Sequence, residues 1–122
     1  MGKSICSATF VFGLPVAPFN IKTQVEGAVA MGLSTALREE VKFASGGVSS
    51  ANFDDYSPIR MSEVPDIEVH IVKSQAAMGG IGEPGLPPTA PAVANAVFNA
   101  TGARVRRIPL TPESVLAAIK KG

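Results

Sequence analysis

Four glycines and four prolines fall within thirteen residues, Gly79-Gly80-Ile81-Gly82-Glu83-Pro84-Gly85-Leu86-Pro87-Pro88-Thr89-Ala90-Pro91, and this stretch limits the fold more than any other. Proline fixes φ and offers no amide hydrogen, and glycine weakens helix and strand alike, so no regular element crosses the segment. A strand before it must stop short of Gly79. A helix after it must start at the last prolines, which the first helical turn tolerates. One carboxylate, Glu83, stands in the middle. Glycines there let backbone approach a bulky ligand, and prolines fix the path so that the acid points in one direction. Held against Ile81 and Leu86, such a carboxylate is expected to have its pKa raised toward that of a useful general base. An ordinary rigid turn is the competing reading of the same residues.

The flanks of this loop are legible. Asp66 to Lys73 alternates polar and apolar without a break, which predicts a strand. Pro88 to Thr101 is rich in alanine with Val93, Val97 and Phe98 on one side, and Gly102 stands where a helix stops. Earlier, Val25, Val29, Leu33, Ala36 and Leu37 recur at helical spacing, predicting a helix from Ile21 to about Glu40. Gly27 and Gly32 weaken that helix unless another backbone packs closely on them. Residues 40 to 53, with Ser45-Gly46-Gly47 as the turn, read as a β-hairpin, and 56 to 65 as a loop holding Pro58 and Pro65. A strand is expected over Val105 to Leu110. Thr111 and Pro112 then cap and open a last helix through Lys120.

This order implies an α+β chain, a mixed sheet with packed helices. Residues 1–20 form an irregular or atypical amino-terminal segment, followed by one unit over 21–122. The run from Ile5 to Val16 after Lys3 resembles a signal peptide only in outline, because Pro15 and Pro18 bracket Ala17, the one candidate cleavage residue. It reads instead as a buried strand or irregular segment. It is also too short to span a membrane.

Charge and composition exclude several functions. With 122 residues, 46% apolar, 17% charged and a net charge of +1, the chain has a globular balance and no electrostatic footprint for nucleic acid or an anionic membrane. Arg104, Arg106 and Arg107 form the one basic cluster and read as solvated charges beside a strand edge. Cys6 is alone, so the chain builds no internal disulfide or cysteine metal site, and it reads as an ordinary cysteine. His70 lies in the alternating strand without an HxxxH or HExxH partner and reads as structural or exposed. No GxSxG elbow accompanies the serines. Asp54, Asp55 and Glu63 lack calcium-loop spacing and read as solvated loop acids. Gly80 to Gly85 is formally GxGxxG, but Pro84, Pro87 and Pro88 delay the helix that a dinucleotide turn needs. Its acid about 20 residues on is absent as well, and the Rossmann reading fails.

Several stretches in order, Gln24-Val25-Glu26-Gly27-Ala28, Asn52 to Tyr56 with Arg60-Met61, Ile67 to Val72, and Gly79 to Gly85 with Pro87-Pro88 and Ala90 to Ala96, resemble the carboxy-terminal part of a large subunit. The family is the molybdenum hydroxylases of the xanthine dehydrogenase and aldehyde oxidase type, and the branch is that of isoquinoline 1-oxidoreductase or aldehyde dehydrogenase β subunits. The likeness runs from about Thr23 to Leu110. It implies a partial carboxy-terminal molybdopterin-binding domain over 21–122. It implies that Glu83, the glutamate of GxGE, is the active-site base that accepts a proton as water-derived oxygen passes to an aldehyde or N-heterocycle. Gln24, from QxEG, is implied to lie by the pterin, and Gly82 to bring backbone close to the molybdenum. The cofactor implied is molybdopterin cytosine dinucleotide. Iron-sulfur clusters are expected only in a partner small subunit. For Asn52 to Tyr56 and Arg60 the expectation is scaffold or substrate-channel packing.

Such large subunits run to several hundred residues, and Phe12 to Asn20 does not follow their pattern before the helix. The resemblance therefore implies a truncated gene, a frameshifted remnant or a fused start. Its catalysis would depend on the remaining large-subunit segments and the iron-sulfur subunit. Two alternatives remain: a non-catalytic remnant acting as an interaction or assembly module, and a carrier that grips a pterin without turnover. A face left uncovered is expected to promote self-association. The expected location is the cytoplasm, or the periplasm for a complete enzyme.

Overall fold

The computed structural model describes residues 5–11, 13–50, 52 and 54–121. The side chain of Cys6, and residues Phe12 and Phe53, lie outside that description. Strand β1 covers Ile5–Val11 and helix α1 covers Pro18–Leu37. The two-residue strands β2, Phe43–Ala44, and β3, Gly47–Val48, form a hairpin. Strand β4 is Asp66–Val72, helix α2 is Thr89–Thr101 and helix α3 is Pro112–Ile119. The strand in the amino-terminal run thus forms, and α1 starts three residues before the periodicity suggests, with a proline in its first turn.

β1 and β4 pair in parallel, Ile5 with Asp66 through Val11 with Val72. Parallel strands need a long crossover, and α1 with the hairpin supplies it. The parallel and antiparallel pairings occupy two separate two-stranded sheets. Helices and small sheets together make the α+β fold expected. On β4 the alternation does what it predicts: Ile67, Val69 and Ile71 are half-buried, while Glu68 and His70 are exposed. His70 Nε2 lies 3.7 Å from Glu68 on the open face.

The core sits between α1 and the parallel sheet. Val25, Val29 and Leu33 are buried, and Ala8 and Phe10 of β1, Ile67 and Val69 of β4, Ile81 and Val93 pack against them. These positions share one side of α1, the stripe that the spacing predicts.

Two expectations change. No strand forms over 105–110: Pro109 has no amide to donate, and the Leu110 N–H instead donates to the Ala36 carbonyl at 2.7 Å, docking the segment on the end of α1. The arginines therefore flank an irregular segment, with Arg104 stacked 3.6 Å from the Phe98 ring centre and Arg107 3.3 Å from Glu40. The two glycines of α1 also differ. A Cβ on Gly32 would lie 2.7 Å from the Thr89 Cβ and 3.0 Å from the Leu86 carbonyl oxygen, so that glycine does admit close backbone. Gly27 faces open space.

Candidate functional site

α1 carries the glycine-proline loop. Its buried edge, Val25 and Ala28, is where Gly85 sits: a Cβ there would lie 3.0 Å from the Ala28 Cβ and 3.4 Å from the Val25 carbonyl oxygen. One turn further along, Gly32 makes room for Leu86 and Thr89. Thr89, buried, closes the far end by donating from its hydroxyl to the Gly85 carbonyl at 2.8 Å. The prolines thus lie in a series of tight turns seated on small residues of one helix. That seat places the start of α2.

Gln24 stands next to Val25 and so looks out at the rim of this contact. Its Nε2 donates to the Gly82 carbonyl at 3.1 Å, across 58 residues of sequence. Two of the sequence-derived candidates, Gln24 and Gly82, are therefore brought together, and the third, Glu83, follows Gly82 directly. Glu83 is exposed, and its carbonyl accepts the Leu86 N–H at 2.9 Å, which closes a turn around Pro84 and Gly85. The apolar surroundings expected from Ile81 and Leu86 go elsewhere: both are half-buried, Ile81 against the core, while the acid stands in solvent.

A cleft of about 340 Å³ opens beside Gln24 and Gly82, bounded also by Asn20 of α1, Leu14, and Met78, Gly79 and Ile81 of the loop; Glu83, the next residue, is not among those that line it. That volume is at the low end for a small-molecule site. Around it, Gly79, Gly80 and Gly82 have nothing within 4 Å of where a Cβ would stand, so the chain leaves this backbone open to an occupant. Among the described lining residues there is no lysine or arginine. The donor set suits the edge of a heterocycle: after its bond to Gly82, the Gln24 amide keeps one N–H and its carbonyl oxygen. It supplies no cation for a phosphate. A pterin edge fits these residues; the phosphates of such a cofactor would need partners from outside this cleft.

A second polar cluster lies at the other end of α1, and sequence reasoning did not single it out. The Tyr56 hydroxyl donates to Glu39 at 2.6 Å and the Thr35 hydroxyl lies 3.3 Å from the same oxygen. Burial raises the Glu39 pKa, but hydrogen bonds from Ser34, Tyr56 and Thr35 outweigh it and hold the carboxyl below its ordinary value. The same bond from Glu39, followed by burial and the negative charge, pushes the Tyr56 phenol up. Buried Ser34 accepts the Ile59 N–H at 2.9 Å, and Glu63 pairs with Arg38 while accepting the Arg60 N–H at 2.9 Å. Tyr56, Ile59 and Glu63 thereby tie their segment to the end of α1. The signal was the run of Ser34, Thr35 and Glu39 at one helix end, readable only with its partner loop.

Residues 12–65 match the molybdopterin cofactor-binding domain family. The chain is 41% identical to the isoquinoline 1-oxidoreductase subunit beta of Brevundimonas diminuta over 109 residues, 89% of this chain and 14% of that one. It is 36% identical to the membrane-bound aldehyde dehydrogenase (pyrroloquinoline-quinone) of Gluconacetobacter polyoxogenes over 110 residues, 90% and 14%. In fold it is similar to the crystal structure of quinoline 2-oxidoreductase from Pseudomonas putida 86, with a TM-score of 0.83 at 23% identity, covering 94% of this chain and 16% of that one.

The chain thus matches part of a molybdopterin cofactor-binding domain and shares the fold of a molybdenum hydroxylase segment. The chain belongs to the xanthine dehydrogenase and aldehyde oxidase family of molybdenum hydroxylases. It spans about one seventh of the length of the relatives named here.

Proposed function

We propose that this chain forms one wall of a molybdenum hydroxylase active site within a longer large subunit, with Glu83 as the base. The observation that supports this most is the Gln24 to Gly82 hydrogen bond, which joins the two cofactor-facing candidates at the residue before the acid. When bound, molybdopterin cytosine dinucleotide supplies the two-electron chemistry that delivers water-derived oxygen to an aldehyde or N-heterocycle. Glu83 accepts a proton at its carboxylate, and its turn keeps the backbone in place while it does so. The open glycines let that backbone stand against the cofactor, and Gln24 offers its remaining amide hydrogen and oxygen to the pterin edge. The shallow cleft, whose described lining holds no lysine or arginine, is completed by other segments of the subunit, which also exclude water from Glu83. Electrons leave to iron-sulfur clusters in a small-subunit partner.

The test is Glu83→Gln in the complete enzyme. A general base is worth roughly 10²–10⁴-fold in rate, so turnover should fall by that factor with molybdenum and pterin content unchanged. Turnover close to wild type with full cofactor would remove Glu83 from the chemistry and leave the reading of an assembly module.

A further inference from the structure

We infer that Gln24 is a positioning residue for Glu83, acting through the Gly82 carbonyl as well as facing the cleft; this rests on Glu83 being the acid of the site. The Gly82 carbonyl belongs to the peptide plane that leads into Glu83. Because that plane is rigid, the direction of its carbonyl fixes the Glu83 N–Cα bond and, with the turn on the far side restraining rotation about that bond, the direction in which its Cβ leaves the chain. On the far side the acid is held twice, by the Leu86 N–H on its own carbonyl at 2.9 Å and by Gly85 packed on Val25 and Ala28. On the near side, the Ile81 side chain packs on the core and fixes where the chain passes. Packing of that kind does not orient the next peptide, and Gly82, the residue with the widest backbone freedom, has nothing near its Cβ position. Among the described residues, the hydrogen bond from Gln24 at 3.1 Å is what orients it.

The chemistry requires a donor. An amide N–H or an ammonium can hold a carbonyl oxygen; a carboxylate of the same shape accepts only and repels it. Gln24 is exposed and lies on α1 between turns that are held by their own buried residues, so its replacement tests the bond with the helix intact. Gln24→Glu keeps the size and loses the donor, Gln24→Lys keeps a donor and changes the shape, and Gln24→Leu removes both polar groups.

Amide hydrogen exchange followed by mass spectrometry, measured on the complete large subunit at neutral pH, reads the loop directly, with α2 amides as the internal reference. The expected result is exchange several-fold faster at Leu86, the amide whose hydrogen bond closes the Glu83 turn, in Gln24→Leu and Gln24→Glu, wild-type protection in Gln24→Lys, and unchanged α2 amides. In the complete enzyme, Gln24→Glu should lower kcat, counted per molybdenum-loaded subunit, about tenfold with KM near wild type. Unchanged loop exchange in both Leu and Glu variants overturns the inference. So does a loosened loop with wild-type kcat. A residue that merely fills space would tolerate Glu and not Lys, the reverse of this pattern. Failure of the base assignment itself shows separately, as turnover retained in Glu83→Gln.

Discussion

Glu83 and Glu39 are two glutamates at opposite ends of one helix with opposite surroundings. Glu39 accepts hydrogen bonds from Ser34, Tyr56 and Thr35 and is held ionised by them, a structural carboxylate, whereas Glu83 stands exposed on a turn whose backbone alone is fixed. The sequence singled out Glu83 because glycine and proline mark an unusual backbone locally, within a few residues. It could not single out Glu39, whose partner Tyr56 approaches it only after the chain returns from the hairpin. Nor could it show that Ile81 packs on the core while the acid stands exposed, since a residue's burial depends on what packs over it.

The Glu39 to Tyr56 bond also makes a prediction. A carboxyl whose folded-state pKa is depressed contributes stability that is complete above its ordinary value of 4.5 and is lost as pH falls through the lower folded value. A phenol whose pKa is raised contributes stability that is complete below its ordinary value of 10.0 and is lost as pH rises through the higher folded value. Urea unfolding of the chain should therefore show stability falling at both extremes. Tyr56→Phe should remove the alkaline arm and shrink the acid one, and identical pH profiles for the two proteins would exclude the coupling.

Among the elements, α1, β4 and α2 were legible because each carries its own period, 3.6 or 2, over seven residues or more. β1 was only half legible. Its partner β4 lies a helix and a hairpin away, and strand pairing is decided there. The expected strand over 105–110 failed for the same reason in reverse: the apolar residues were present, but Leu110 bonds to Ala36 of α1 and no strand lies alongside.

The glycines of α1 separate local propensity from packing. Gly27→Ala adds a methyl to open space in a helix interior and should raise stability by about 0.5–1 kcal/mol. Gly32→Ala drives a methyl into Thr89 and the Leu86 carbonyl and should cost about 1–3 kcal/mol. Thermal or chemical denaturation measures both. Equal effects would mean that the loop does not seat on α1 as described.

At the scale of the whole molecule, the surface is too large for the mass. The chain exposes 8748 Å². A compact monomer of 12.6 kDa exposes about 6,200 Å². The excess of roughly 2,500 Å² exceeds what one partner gives to an interface of ordinary size, about 800 Å². It is also apolar in part: Met61 is 90% exposed, Phe19 79%, Phe43 76% and Leu14 68%. Leu14 lines the cleft, where the further walls of the proposed site would stand. Composition could not show this, because 46% apolar residues is an ordinary fraction and only the fold reveals how few of them are covered.

The central claim is that this chain is a working wall of a molybdopterin site. Its most direct test is to substitute the chain for the corresponding segment of a related full-length large subunit, then measure molybdenum and pterin per subunit together with turnover. The account predicts a folded subunit with full cofactor and measurable turnover. A folded subunit that holds no cofactor, or holds it without turning over, would contradict it.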